Sequence, residues 1–139
     1  MTIIDTPFKN VFLLKATLHK DKRGGFMEHH NHKNFKASTG HDIQFCQDNL
    51  TYSKRGVLRG LHYQIQKPQA KLVSATRGEV YDVLVDMREN SPSFGQWKGV
   101  HLSEENGNQL FVPRGFAHGF CVLSETVDFV YKCDAFYDA

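Results

Sequence analysis

The chain has 139 residues, 40% of them hydrophobic and 23% charged, with 17 Lys and Arg against 15 Asp and Glu. That length supports one domain with a real core, expected here over residues 1–139. A formal net charge of +2 is too weak to point to nucleic acid, but it leaves room for one anionic small molecule. No apolar run approaches the ~20 residues of a membrane helix. The N-terminal MTIIDTPFKNVFLL lacks the basic, apolar and small-residue order of a signal peptide, so a cytoplasmic protein is expected. Cys46, Cys121 and Cys133 are odd in number, fit no CxxC spacing and read as reduced thiols.

Short apolar or alternating runs predict strands over 11–18, 43–49, 57–64, 71–76, 80–87, 97–102, 109–112, 119–123 and 127–133, several of them rich in β-branched and aromatic residues. The only helix expected is a short one over 32–38, HKNFKAS. Turn signals separate many of the runs: KRGG at 22–25, RG at 77–78, ENSP at 89–92, ENG at 105–107 and PRG at 113–115. The run from Val80 to Arg88 alternates, with Tyr81, Val83, Val85 and Met87 on one face and Val80, Asp82, Leu84, Asp86 and Arg88 on the other. Many short strands with frequent turns and almost no helix imply an all-β sandwich or barrel, of the jelly-roll kind.

The stretch GVLRGLHYQ at 56–64 sets a cation and an imidazole inside an otherwise strand-like run. Plain alternation places Val57, Arg59, Leu61 and Tyr63 on one face and Leu58, Gly60, His62 and Gln64 on the other; a bulge at Gly60 would change that facing. A polar side chain aimed inward needs a partner, water or a ligand. Three further stretches carry candidates: QAKLV with Lys71, PRGFAHGF with His118 and FVYKC with Tyr131. Each residue alone has an ordinary reading, as a hydrogen-bonded core His, a solvated Lys or a core Tyr. Together they form a kit. His is a base near neutral pH, Tyr can return a proton, Lys can steady charge developing on an oxygen, and Arg can hold phosphate. That combination suits proton abstraction beside a carbonyl in a substrate with a phosphate handle.

A metal is the competing use of a jelly-roll cavity. PRGFAH fits the later half of the barrel-metal pattern, P-x-G-x-x-H, but the earlier half would need His-x-His followed by Glu, and the sequence has His62-Tyr63-Gln64. Two His are a poor set for a divalent transition metal. The tract EHHNHK at 28–33 lacks structural-zinc spacing and reads as a polar loop or strand end.

Taken together, DKRGGFME, QDNLTYSKRGVLRGLHYQ, QAKLV, RGEVYDVLVDMRENSPSFGQWKGVHLS, PRGFAHGF and VYKCDAFY make the chain resemble the dTDP-4-dehydrorhamnose 3,5-epimerase family of nucleotide-sugar enzymes, from about residue 3 onward. The resemblance implies a cupin-type jelly roll, a homodimer that exchanges N-terminal strands, a dTDP-sugar substrate, and neither metal nor organic cofactor. It also implies the roles. His62 is the general base beside the C4 ketone, Tyr131 returns a proton from the opposite face, Lys71 stabilises the enolate and His118 lines the same pocket. Arg59 and Arg23 bind the pyrophosphate, Gln47, Asn49, Phe26 and Glu28 line the nucleotide or sugar site, some across the dimer, and Tyr137 stacks on thymine. In the family a carboxylate that orients the catalytic His comes from a segment past the point where this sequence ends. Asp82 or Asp86 could orient a His from within the barrel, whereas Asp134 and Asp138 lie too close to Tyr131 for that role. Two alternatives remain: a jelly roll that binds a nucleotide sugar without turning it over, and a 3,4-ketoisomerase working by the same enolate logic.

Overall fold

The computed structural model describes residues 1–137. Twelve strands and one helix follow in the order β1 (Thr2–Asp5), β2 (Phe12–Lys15), β3 (Leu18–Asp21), β4 (Gly24–Met27), α1 (His32–Thr39), β5 (Gln47–Lys54), β6 (Leu58–His62), β7 (Lys71–Arg77), β8 (Glu79–Asp86), β9 (Trp97–Ser103), β10 (Asn108–Val112), β11 (Phe116–Val122) and β12 (Thr126–Cys133). A six-stranded sheet of order β1-β2-β10-β7-β12-β5 faces a four-stranded sheet of order β6-β11-β8-β9, and β3 and β4 form a separate hairpin. The pairings are antiparallel. This is the all-β jelly roll expected from the sequence.

The period-two pattern explains the layers. On β8, Val80, Asp82, Leu84 and Asp86 are buried while Tyr81, Val83 and Val85 are half-buried, so the run faces as its alternation predicts. Val73, Leu110, Phe129, Leu84 and Phe120 meet between the two sheets. A second core lies on the far side of the six-stranded sheet, where Leu14, Leu72 and Phe111 pack against Phe35 of α1. The helix starts at Asn31, whose side chain accepts from the Asn34 amide at 3.1 Å, and stops at Gly40 in the left-handed conformation.

Three features differ from the sequence reading, the first being that the strand expected over 11–18 ends at Lys15 and the chain resumes as β3 at Leu18. The strand expected over 43–49 begins only at Gln47, because Ile43 and Phe45 turn outward onto the helix core. The hairpin β3–β4 and the short β1 were not expected as strands. Their residues are mostly exposed in this chain, so no buried face imprints an apolar alternation on them.

Candidate active site

Strands β5 and β6 are the end strands of their sheets, joined by the turn at 55–57. The cavity lies between the sheets beside them. On the six-stranded sheet the ladder sets Gln47 beside Cys133 and Cys133 beside Lys71; one row deeper, Asn49 beside Tyr131 and Tyr131 beside Val73; and then Thr51 beside Phe129 and Phe129 beside Ala75. Alternation points all of these side chains toward the opposite sheet.

That sheet supplies the histidines and Arg59. His62 pairs with His118, but Arg59 pairs with Phe120, so the ladder slips between the two pairs. Backbone packs closely where the ladder slips. A Cβ on Gly60 would stand 2.7 Å from the Gly119 Cα, and one on Gly119 would stand 2.5 Å from the Arg59 carbonyl oxygen. The two glycines let β6 and β11 touch, and the slip turns Arg59 and His62 into the same cavity. Plain alternation had put them on opposite faces; the bulge at Gly60 overturns that facing.

An inner chamber of about 130 Å³ is walled by Arg59, His62, Lys71, His118 and Tyr131, with Phe120 and Phe129 among its apolar lining. It shares His62, Lys71 and Tyr131 with a wider outer space of about 810 Å³ that reaches Gln47, Asn49, Gln69 and Tyr137. The Lys71 ammonium stands 5.5 Å from the centre of the Tyr131 ring. Arg59 is held by its Nε donating to the Ser53 hydroxyl at 3.0 Å. Gln47 donates through Nε2 to the Asn49 Oδ1 at 3.0 Å and accepts the Tyr137 amide, also at 3.0 Å.

His118 and Asp82 form a tight pair, with Nε2 at 2.8 and 2.9 Å from the two carboxylate oxygens. Asp82 has no exposed side-chain surface and His118 retains 11%. Burial pushes the Asp82 carboxyl up, and the neighbouring imidazole opposes that rise. Of the two internal carboxylates singled out in the sequence, Asp82 therefore orients a histidine, but that histidine is His118. Asp86 is engaged elsewhere, taking Arg88 on both oxygens together with the hydroxyls of Ser91 and Ser93. Among the described residues, His62 has no hydrogen-bond partner for its ring, which is left open to the cavity. Burial raises the Tyr131 phenol above its ordinary value, Cys133 adds to the rise, and Arg59 opposes it. Tyr131 therefore carries its proton at neutral pH and can donate it.

The remaining site candidates lie apart from the cavity within this chain. Arg23 is 83% exposed on its side chain and pairs with Asp21 in the β3–β4 hairpin. Phe26 on the same hairpin is 71% exposed. Glu28 accepts from the side-chain amides of Asn31 and Asn34 at the start of α1. The EHHNHK tract is partly folded against the body: His29 Nε2 lies 3.0 Å from the Ser74 hydroxyl, and His32 Nδ1 lies 3.0 Å from the Ile43 carbonyl. Among the described residues no group of three or more His, Cys, Asp or Glu is arranged to hold a metal ion, and no helix is long and apolar enough to cross a membrane. Asp138 lies outside the described residues. Reading the sequence missed Thr51, Phe120, Phe129, Gln69 and Ser53 as parts of the site. The alternation of 47, 49, 51 and 53 was the signal available for two of them.

Fold and cavity together define a class: a jelly roll whose two sheets hold an imidazole and a phenol over a common space, with an ammonium beside them, suited to acid–base work on a small polar ligand. Comparison with known proteins narrows this. The family described as dTDP-4-dehydrorhamnose 3,5-epimerase matches residues 5–139. The chain is 51% identical over 138 residues to the dTDP-4-dehydrorhamnose 3,5-epimerase of Shigella flexneri, which covers 99% of this chain and 76% of that one. It is 53% identical over 128 residues to the protein of the same name from Pseudomonas aeruginosa, covering 92% and 71%. The solved structure of dTDP-6-deoxy-D-glucose-3,5-epimerase from Legionella pneumophila, in complex with dTDP-4-keto-L-rhamnose, matches with a TM-score of 0.95 and 49% identity, covering 99% of this chain and 73% of that one. The chain belongs to the dTDP-4-dehydrorhamnose 3,5-epimerase family.

Proposed function

We propose that this chain epimerises dTDP-4-keto-6-deoxyglucose or a close relative at C3, C5 or both, in the supply of rhamnose-type deoxysugars. The observation that carries the reading is the placement of His62 and Tyr131 on opposite sheets around one chamber that also receives Lys71. A proton on a carbon next to a ketone is weakly acidic, so its removal needs a close base and a stabilised enolate. His62 removes it, Lys71 holds the enolate oxygen, and Tyr131 returns a proton from the other face, which inverts the centre. Arg59 takes the pyrophosphate, His118 lines the sugar, Gln47 and Asn49 border the outer space, and Tyr137 offers its ring to thymine.

The working unit in this reading is a cytoplasmic homodimer with exchanged N-terminal strands. The hairpin supports it, since Leu18 and Phe26 are left 41% and 71% exposed in the single chain. Exchange would carry Arg23, Phe26 and Glu28 to a partner's cavity, which accounts for their distance from this chain's own.

The test is incubation with dTDP-4-keto-6-deoxyglucose in deuterated water. Label at both C3 and C5 indicates a double epimerase, and label at one a single epimerase. His62→Ala should abolish the label. Tyr131→Phe should slow net inversion roughly 10²–10⁴-fold, the usual contribution of a proton-transfer group, while dTDP still binds. Exchange that survives in His62→Ala would end the assignment of the base. The bare His62 ring favours one second reading, a nucleotide-sugar binder without turnover; dTDP binding with no label in the parent protein would support it.

A further inference from the structure

Asp134 follows directly on β12, and its carboxylate is 10% exposed. Three elements that carry site residues meet on it. Oδ1 accepts the amide of Ala70, the residue before Lys71, at 2.8 Å, and the Asp134 amide donates back to the Ala70 carbonyl at 3.2 Å. Oδ2 accepts from Arg114 through Nε at 3.1 Å and Nη2 at 2.9 Å. Gln69 adds a bond from Nε2 to the Ala135 carbonyl at 2.7 Å. Arg114 lies between β10 and β11, where the chain crosses from the six-stranded to the four-stranded sheet, four residues before His118.

We infer that Asp134 and Arg114 are positioning residues that fix the wall bearing Lys71 and Tyr131 against the wall bearing His118 and His62. The inference rests on the epimerase reading. An ion pair with one half-exposed partner stabilises a fold little. This one differs in geometry: its carboxylate is almost buried, is shared with a backbone amide beside Lys71, and links the two sheets at the end of the cavity where Lys71 stands. Transfer of a proton from one wall and back from the other depends on their separation. A misplacement of about 1 Å costs such a reaction on the order of 10²-fold without removing any reacting group. Neither residue touches substrate in this scheme.

The test is a double-mutant cycle with Arg114→Met and Asp134→Asn, read by deuterium wash-in at C3 and C5 of dTDP-4-keto-6-deoxyglucose and by dTDP affinity. Each single variant should lower kcat roughly 10- to 100-fold, and the double variant should be no slower than the slower single one, as for two members of one contact. Affinity for dTDP should stay within about threefold, because ligand-binding groups are untouched. Arg114→Lys, which keeps a cation, should recover part of the loss. Arg114 is 55% exposed, so its variants should fold and keep the test open if Asp134→Asn does not. Singles within about twofold of the parent, or losses that multiply in the double variant, would overturn the inference. Failure of the parent protein to take up label would instead refute the epimerase reading, and this inference with it.

Discussion

Gly60→Ala puts one methyl group between β6 and β11. The added Cβ would stand 2.7 Å from the Gly119 Cα and 2.8 Å from the His118 carbonyl oxygen, about 0.8 Å inside the ~3.5 Å of an ordinary carbon–carbon contact. Both neighbours are backbone, so no side chain can swing away; the strands must part. Gly60 also sits at φ +113, where an L side chain adds about 1–3 kcal/mol of strain. Because β6 is an end strand and can retreat, strain and overlap together should cost about 2–4 kcal/mol, which lowers Tm by roughly 6–15 °C for a chain of this size. The functional loss should be larger than stability suggests, because the retreat moves Arg59 and His62 together. A shift approaching 1 Å should slow deuterium wash-in on the order of 10²-fold. Differential scanning calorimetry and the wash-in assay on the same preparation read both. A folded variant with Tm within about 1 °C of the parent and unaltered wash-in would refute the claim that this glycine contact aims His62.

Two other changes test the frame rather than the site. Arg88 and the hydroxyls of Ser91 and Ser93 hold the Asp86 carboxyl well below the usual carboxylate range. Its folded pKa is depressed, so the stability it contributes is present above the unfolded value near 3.8 and is lost as pH falls below it. Asp86→Asn should therefore cost about 2–4 kcal/mol at pH 7, and the gap to the parent should narrow at pH 3 in urea titrations; a gap that widens in acid would contradict this. Phe35 is fully buried beneath α1 against Phe45 and Phe111. Phe35→Ala should cost about 3–5 kcal/mol in the same titration while dTDP affinity per folded molecule holds, and a cost under about 1 kcal/mol would mean the helix core contributes little.

Much of the architecture was legible because burial on one face imprints a period of two. Val80 to Asp86 shows this most plainly: each residue faces as its neighbours require, including two carboxylates on the buried side. The hairpin β3–β4 was not legible, since neither of its faces is covered in this chain. At the site, the residue types were legible and their arrangement was not. His62, Lys71, His118 and Tyr131 stood out as chemistry, but no local pattern says that Asp82 serves His118, whereas Asp86 and Arg88 stand two apart on one face. Thirty-six residues separate the first pair, and their distance depends on how β8 and β11 pair.

Fold class, family pattern and the candidate polar groups can be read from the residues in order along the chain, because alternation, turn residues and side-chain chemistry are local properties. Which of those groups share one cavity depends on how distant strands pair. Arg59 and His62 are three positions apart on a strand, and simple pleating sends them to opposite faces. A slip in the ladder, where the backbone of Gly60 packs against Gly119 from a distant part of the chain, brings them together. A contact made by backbone atoms across two strands leaves only a pair of glycines in the sequence, and two glycines alone do not say what they touch.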